Sequence, residues 1–151
     1  MQRVPGIERS ATAVWTGSVA RGNGKPSVPS EALKQVPFSL AGRTAPTATD
    51  GTSPEELLAA AHAGCFAMAL SSQLTRRQAR PDRLTVTATS RLDDVDGRNR
   101  IVAGSLVVEV AAPGLAPGEL EGALRDADER CPFSALLRDA GATVAVTLAP
   151  G

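Results

Sequence analysis

The chain has 151 residues, one domain's worth and long enough for a substantial core. Sixteen basic and sixteen acidic side chains cancel, and aromatic residues are 3% with no tyrosine, so no electrostatic or base-stacking footprint for nucleic acid or an anionic membrane is visible. The first ten residues carry Arg3, Glu8 and Arg9 without an apolar run, so no signal peptide is expected; no stretch is expected to span a bilayer, and the expected address is the cytoplasm.

Thr12, Val14, Trp15, Thr16 and Val19 suit a strand between Ala11 and Arg21, closed by a turn at Arg21-Gly22-Asn23-Gly24. Ser27 to Gly42 reads as short extended pieces, held to sheet edges by Pro26, Pro29 and Pro37, and Arg43 to Thr52 as a loop. Ser53-Pro54-Glu55-Glu56 then offers an N-cap, a proline at the first helical position and a glutamate three residues on, the elements of a capping box. The helix that follows, Leu57 to Leu70, is apolar almost all round and is expected to be buried on most sides, ending between Arg76 and Arg80 before Pro81. Leu84, Val86, Ala88, Ser90 and Leu92 alternate with polar residues as a strand buried on one face. Asp96-Gly97 turns the chain into a return strand with Val102, Leu106, Val108 and Val110 on one side. Leu120, Ala123, Leu124 and Ala127 mark an amphipathic helix broken at Cys131-Pro132. Phe133 to Arg138 form a short second helix closed by Gly141, and Val144, Val146 and Leu148 form a last strand. This order predicts an α+β fold with mainly antiparallel sheet.

Two cysteines, Cys65 and Cys131, are the first candidates for chemistry. Either is read as a buried small hydrophobe or as one half of a redox pair. His62 lies three residues before Cys65, on the same helix face, where an imidazolium would favour a thiolate. Cys131 precedes a helix start, whose positive end favours a thiolate as well. One histidine and two distant cysteines fall short of a zinc ligand set. No Gly-x-Ser-x-Gly elbow is present, Gly22-Asn23-Gly24-Lys25 reads as a plain hairpin turn, and Asp93-Asp94-Asp96 as a solvated turn without calcium-loop register.

The run Ser53-Pro54-Glu55-Glu56-Leu57-Leu58-Ala59-Ala60-Ala61-His62-Ala63-Gly64-Cys65-Phe66-Ala67-Met68-Ala69-Leu70-Ser71 resembles the signature helix of the OsmC/Ohr family of hydroperoxide reductases. Cys131-Pro132-Phe133-Ser134 is similar to the family's second motif. Trp15-x-Gly17, Arg21-Gly22-Asn23-Gly24, Pro37-Phe38 and the Ala-His-Ala-x-Cys around His62 resemble its OsmC branch. The resemblance implies a single domain over residues 1–151, with antiparallel sheets around a long buried central helix in an intertwined homodimer.

It also implies a cytoplasmic stress-defence peroxidase without cofactor, with no nucleic acid or membrane partner. Cys65 would be the peroxidatic thiol and Cys131 the resolving one; Arg43 would hold the thiolate and peroxide, and Glu55 would orient Arg43. The Arg43 to Glu55 segment is slightly longer than the usual OsmC loop, with Ala45-Pro46-Thr47-Ala48-Thr49 as surplus, and Arg21 is the alternative arginine, because the Ohr branch places its arginine in the N-terminal strand region. The implied substrate is an organic hydroperoxide, with hydrogen peroxide a second one, and the implied reductant is a dithiol of lipoyl type. Phe38, Phe66, Met68, Phe133 and Leu136 are candidate apolar lining, each also readable as core. Ten helical residues set Glu55 about 15 Å from Cys65 along the axis, which predicts a site shared between two subunits. Two other readings stand beside this one: a non-catalytic OsmC-fold stress or ligand-binding protein, and a thiol hydrolase or acyl transferase using Cys65 and His62.

Overall fold

The computed structural model describes residues 5–47 and 51–150. The chain forms two compact units, Met1–Leu57 and Leu58–Gly151.

In the first unit, strands β1 (Thr12–Thr16) and β2 (Asn23–Ser27) pair antiparallel, Thr16 opposite Asn23. The turn therefore comes earlier than the sequence signal placed it. Gly17, at φ 93°, leaves β1, and the Gly22 N–H closes the loop on the Ser18 carbonyl at 2.7 Å. Asn23 and Gly24 lie within β2, not in the turn. Gly24 is small for a different reason: a Cβ there would meet Phe38 at 2.7 Å and Trp15 at 2.9 Å. Backbone bonds of 2.8 and 2.9 Å join Gly24 to Phe38 in both directions, and the Trp15 and Phe38 rings lie 6.3 Å apart.

Leu40–Thr44 forms a short helix, α1. This corrects the extended reading of Leu40 to Gly42 and the loop reading of Arg43. Ser39 accepts the Gly42 N–H at 3.0 Å, a side-chain cap that starts a helical turn locally. The expected surplus at Ala45 to Thr49 reaches, at Ala48 and Thr49, outside the described residues.

Helix α2 (Pro54–Arg76) begins in the first unit and runs through the second. The Ser53 hydroxyl accepts the Glu56 N–H at 3.0 Å, one half of the expected capping box. The other half differs, since Glu56 accepts a hydrogen bond from the Thr52 hydroxyl at 2.9 Å. At the far end Gln78, at φ 58°, sets up bonds from Ala79 N–H to the Leu74 carbonyl and from Gln78 N–H to the Thr75 carbonyl, a Schellman closure ahead of Pro81. At 23 residues, α2 is long and apolar enough to cross a bilayer by length and composition, against the expectation that no stretch would be. Here that apolar length supplies core: Phe66, Leu70 and Leu74 are fully buried. The helix is not buried on most sides. Ala60, Gly64 and Met68, spaced four apart on one ridge, are exposed, Met68 by 71%.

In the second unit, β3 (Arg83–Val95) and β4 (Arg98–Ala111) form the expected hairpin. Asp96 and Gly97 both take positive φ, 54° and 79°, as a two-residue primed turn requires. The register shifts between Arg91 and Leu92, where Val102 on β4 stands unpaired as a bulge. Helices α3 (Pro117–Arg130) and α4 (Pro132–Asp139) then carry the chain over to β5 (Thr143–Leu148), which pairs parallel with β4, an exception to the expected antiparallel pattern. A parallel neighbour requires such a crossover. Leu106 and Val108 of β4 and Ala123 and Ala127 of α3 complete the core around Phe66, Leu70 and Leu74.

Candidate functional site

Two clusters hold the candidate residues, one in each unit. In the second unit, the break between α3 and α4 puts Cys131 at the N-cap of α4, because Pro132 lacks the N–H that would continue α3. Cys131 is fully buried, and Cys65 packs against the same core from α2. Both are free thiols. Burial pushes Cys65 up to about 11, reinforced by the charge and hydrogen bonding of Cys131, with a smaller opposing pull from the Phe133 N–H. Burial pushes Cys131 up too, but hydrogen bonding from His62, from the Ser134 N–H and hydroxyl and from the Phe133 N–H outweighs it and brings Cys131 down to about 7. The two thiols are therefore driven apart, Cys65 upward by burial and Cys131 downward by the donors around it.

That order reverses the expectation for His62. It shares α2 with Cys65, yet its Nε2 lies 2.9 Å from Ser134 Oγ, and its influence falls on Cys131. Ser134 was quoted as part of a motif but given no role in the sequence reading. Its position three residues after the N-cap was the signal, since that spacing brings a side chain back over the first turn.

In the first unit, α1 and the start of α2 bring Arg43 and Glu55 together. Arg43 Nε reaches Glu55 Oε1 at 3.0 Å and Oε2 at 3.1 Å, and Nη2 reaches Oε1 at 2.5 Å. This forked contact raises Arg43 further above its ordinary value, through the hydrogen bond first and the Glu55 charge last, with burial opposing. The Arg43 side chain keeps 33% of its exposure and Glu55 14%, so the carboxylate is covered while the guanidinium retains an open edge. Against that edge lies an apolar hollow of about 120 Å³, lined by Trp15, Val19, Phe38, Leu40 and Pro54. Arg21 is exposed, and its side chain makes no hydrogen bond or ion pair among the described residues.

Of the expected apolar lining, Phe66 is fully buried core, not wall, because its ring fills the space between α2 and its neighbours. Phe133 packs partly buried on the same core, while Met68 and Leu136 are exposed. Trp15 and Leu40, part of the hollow beside Arg43, were not anticipated. Their signal was a tryptophan opposite a glycine across a two-stranded ladder.

Comparison with known proteins agrees with the α+β architecture. The family profile described as OsmC-like protein matches residues 47–147. Peroxiredoxin OsmC of Escherichia coli is 38% identical over 132 residues, 87% of this chain and 91% of that protein. The organic hydroperoxide resistance protein of Xanthomonas axonopodis pv. citri is 35% identical over 88 residues, 56% and 58% of the two chains. Among solved structures, an OsmC-like protein of Vibrio cholerae superposes with a TM-score of 0.75 at 16% identity, over 95% of this chain and 99% of that one. The organic hydroperoxide resistance protein OhrB of Bacillus subtilis superposes with a TM-score of 0.69 at 25% identity, over 93% and 98%. On its α+β architecture, its profile match and its similarity to the Escherichia coli protein, the chain belongs to the OsmC-like protein family.

Proposed function

We propose that the protein is a cysteine-based peroxidase that reduces organic hydroperoxides in stress defence. The observation that carries this reading is that two free thiols sixty-six residues apart in sequence pack on one core, close enough for Cys131 to add to the burial that raises Cys65. In the proposed cycle the Cys65 thiolate attacks the terminal peroxide oxygen. The O–O bond breaks, an alcohol leaves, and Cys65 becomes a sulfenic acid. Cys131 condenses with it to a disulfide and water, and a dithiol of lipoyl type reopens the bond by exchange. Cytoplasmic surroundings belong to the same proposal, because they supply the reducing power.

Held near 11, Cys65 needs a cation before it reacts at neutral pH. Arg43, fixed by Glu55, is the group we assign to it. Glu55 and Cys65 stand ten residues apart on the unbroken helix α2, about 15 Å along its axis. The proposal therefore pairs Arg43 and Glu55 of one protomer with Cys65 and Cys131 of its partner in a two-fold homodimer. The exposed ridge of Ala60, Gly64 and Met68 supports such packing, because two small residues let a second helix approach closely. The hollow beside Arg43 supports an organic substrate, whose apolar tail gains about 25 cal/mol for each Å² removed from water.

Intact-mass spectrometry after one equivalent of cumene hydroperoxide tests the reading. Wild type is expected to lose two hydrogens, Cys65→Ser to consume no peroxide, and Cys131→Ser to accumulate oxygen on Cys65. An unchanged wild-type mass would leave the non-catalytic ligand-binding reading in its place. Turnover of a thioester by Cys131→Ser would favour the hydrolase reading.

A further inference from the structure

The cycle above gives no task to the one histidine of the chain, although it is buried to 1% exposure. Its hydrogen-bond partner Ser134 is at 0%, and so is Cys131. Their surroundings are apolar: a Cβ on Gly104 of β4 would stand 2.9 Å from Leu137 Cδ1 and 3.6 Å from the imidazole Cε1 and Nδ1. An imidazole and a hydroxyl enclosed in this way lose hydration that only a specific hydrogen-bond arrangement restores. His62 reaches Ser134 at 2.9 Å, and Ser134 stands three residues after Cys131, in the first turn of the helix that Cys131 caps.

We propose that His62 and Ser134 are positioning residues for disulfide closure: bonded to each other in the core, both act on the Cys131 sulfur, and Cys131 meets oxidised Cys65 as a thiolate. The inference rests on the peroxidase reading for the step it serves. In that step the Cys131 thiolate attacks the sulfur of the Cys65 sulfenic acid. The S–S bond forms as the S–O bond breaks, and the departing hydroxide takes up the proton that Cys131 released on ionising, leaving as water. No oxidant is needed beyond the peroxide oxygen already on Cys65. The position of Cys131 near 7, well below the usual thiol range, agrees with two side chains and two backbone N–H groups acting on one sulfur. The other groups around it are accounted for. Cys65 faces it from α2, and Asp128 of α3 accepts the Cys131 N–H through its carbonyl at 3.3 Å. The Asp128 carboxylate is ion-paired with Arg138 of α4 at 2.5 Å.

The test is the pH dependence of closure in Ser134→Ala, read by quenched-flow mass spectrometry after one equivalent of cumene hydroperoxide, with the preceding oxidation of Cys65 as internal reference. Losing the hydroxyl is expected to raise Cys131 part of the way toward about 8.5; the full return would cut its thiolate share at pH 7 about fifteenfold. A thiolate of higher pKa is intrinsically more nucleophilic by about fivefold over that interval, so the net slowing at pH 7 is at most about threefold. Above pH 9 the variant is expected to close at least as fast as wild type. A packing defect slows closure at every pH, and that result would overturn the proposal, as would no change at all. Ser134→Thr keeps the hydroxyl and is expected to restore the wild-type profile; a folded threonine variant that behaves like alanine also counts against the proposal. His62→Gln removes the other of the two side chains and is expected to move Cys131 upward as well. Failure of the peroxidase reading is separately visible, as absence of any disulfide in wild type. In that event, thiolate absorbance in Cys65→Ser still decides the positioning role: a midpoint that climbs from about 7 on adding Ser134→Ala supports it, and an unmoved one refutes it.

Discussion

On the proposed composite site, an Arg43→Ala protein leaves Cys65 facing burial and the charge of Cys131 with no counter-charge. Near 11 it is ionised in about one molecule in ten thousand at pH 7. A guanidinium about 4 Å away contributes about 4 kcal/mol at an effective dielectric constant of about 20. That is about three decades in the ionisation constant, enough to raise the ionised share to about one in ten. Sulfenic acid formation is therefore expected to fall about a thousandfold in Arg43→Ala, measured by stopped flow against cumene hydroperoxide. The sharper measurement mixes two dead proteins. Arg43→Ala supplies intact thiols, and Cys65→Ser supplies an intact Arg43–Glu55 pair. After joint refolding at equal amounts, half of the dimers are mixed and each holds one complete site of two, so activity returns to about a quarter of wild type. If the site belongs to a single chain, no mixture recovers activity. That result, or a loss of less than tenfold in Arg43→Ala, would refute the composite site.

The reduced protein is expected to show a stability maximum in mildly alkaline solution. Cys131 is lowered in the folded state, so its contribution is present above the ordinary thiol value of about 8.5 and disappears as pH falls through about 7. Cys65 is raised, so its contribution is full below about 8.5 and lost as pH climbs through about 11. Urea midpoints across this range are expected to rise and then fall, and Cys131→Ala to abolish the rise; a flat profile would contradict both directions. Phe66→Ala removes a fully buried ring and is expected to cost about 3–5 kcal/mol in urea unfolding. Gly104→Ala brings a Cβ to 2.9 Å from Leu137 Cδ1, which must shift, with an expected cost of about 1 kcal/mol in urea unfolding; because the Cβ stands at an ordinary 3.6 Å from the His62 ring, the Cys131 titration is expected to stay where it is.

The chain's own order of residues determined what local rules govern. The Ser53–Pro54 start of α2, the Asp96-Gly97 turn, the alternation along β3 and the helix break at Cys131-Pro132 each follow from capping, φ preference or periodicity over a few neighbours, and each stands where it was read. Other features depend on residues distant in sequence, and only the tertiary structure decided them. Gly24 looked like a turn residue because nothing nearby revealed Phe38 and Trp15 pressing on it. Helix α2 looked buried all round because apolar composition does not say which side a single chain covers. His62 looked like a neighbour of Cys65 because i and i+3 share a face, yet the side chain that satisfies it lies seventy-two residues on, in α4. The charge of a thiol is likewise set by whatever desolvates it and points donors at it, and the folded core, not the spacing, draws Cys131 down while it pushes Cys65 up.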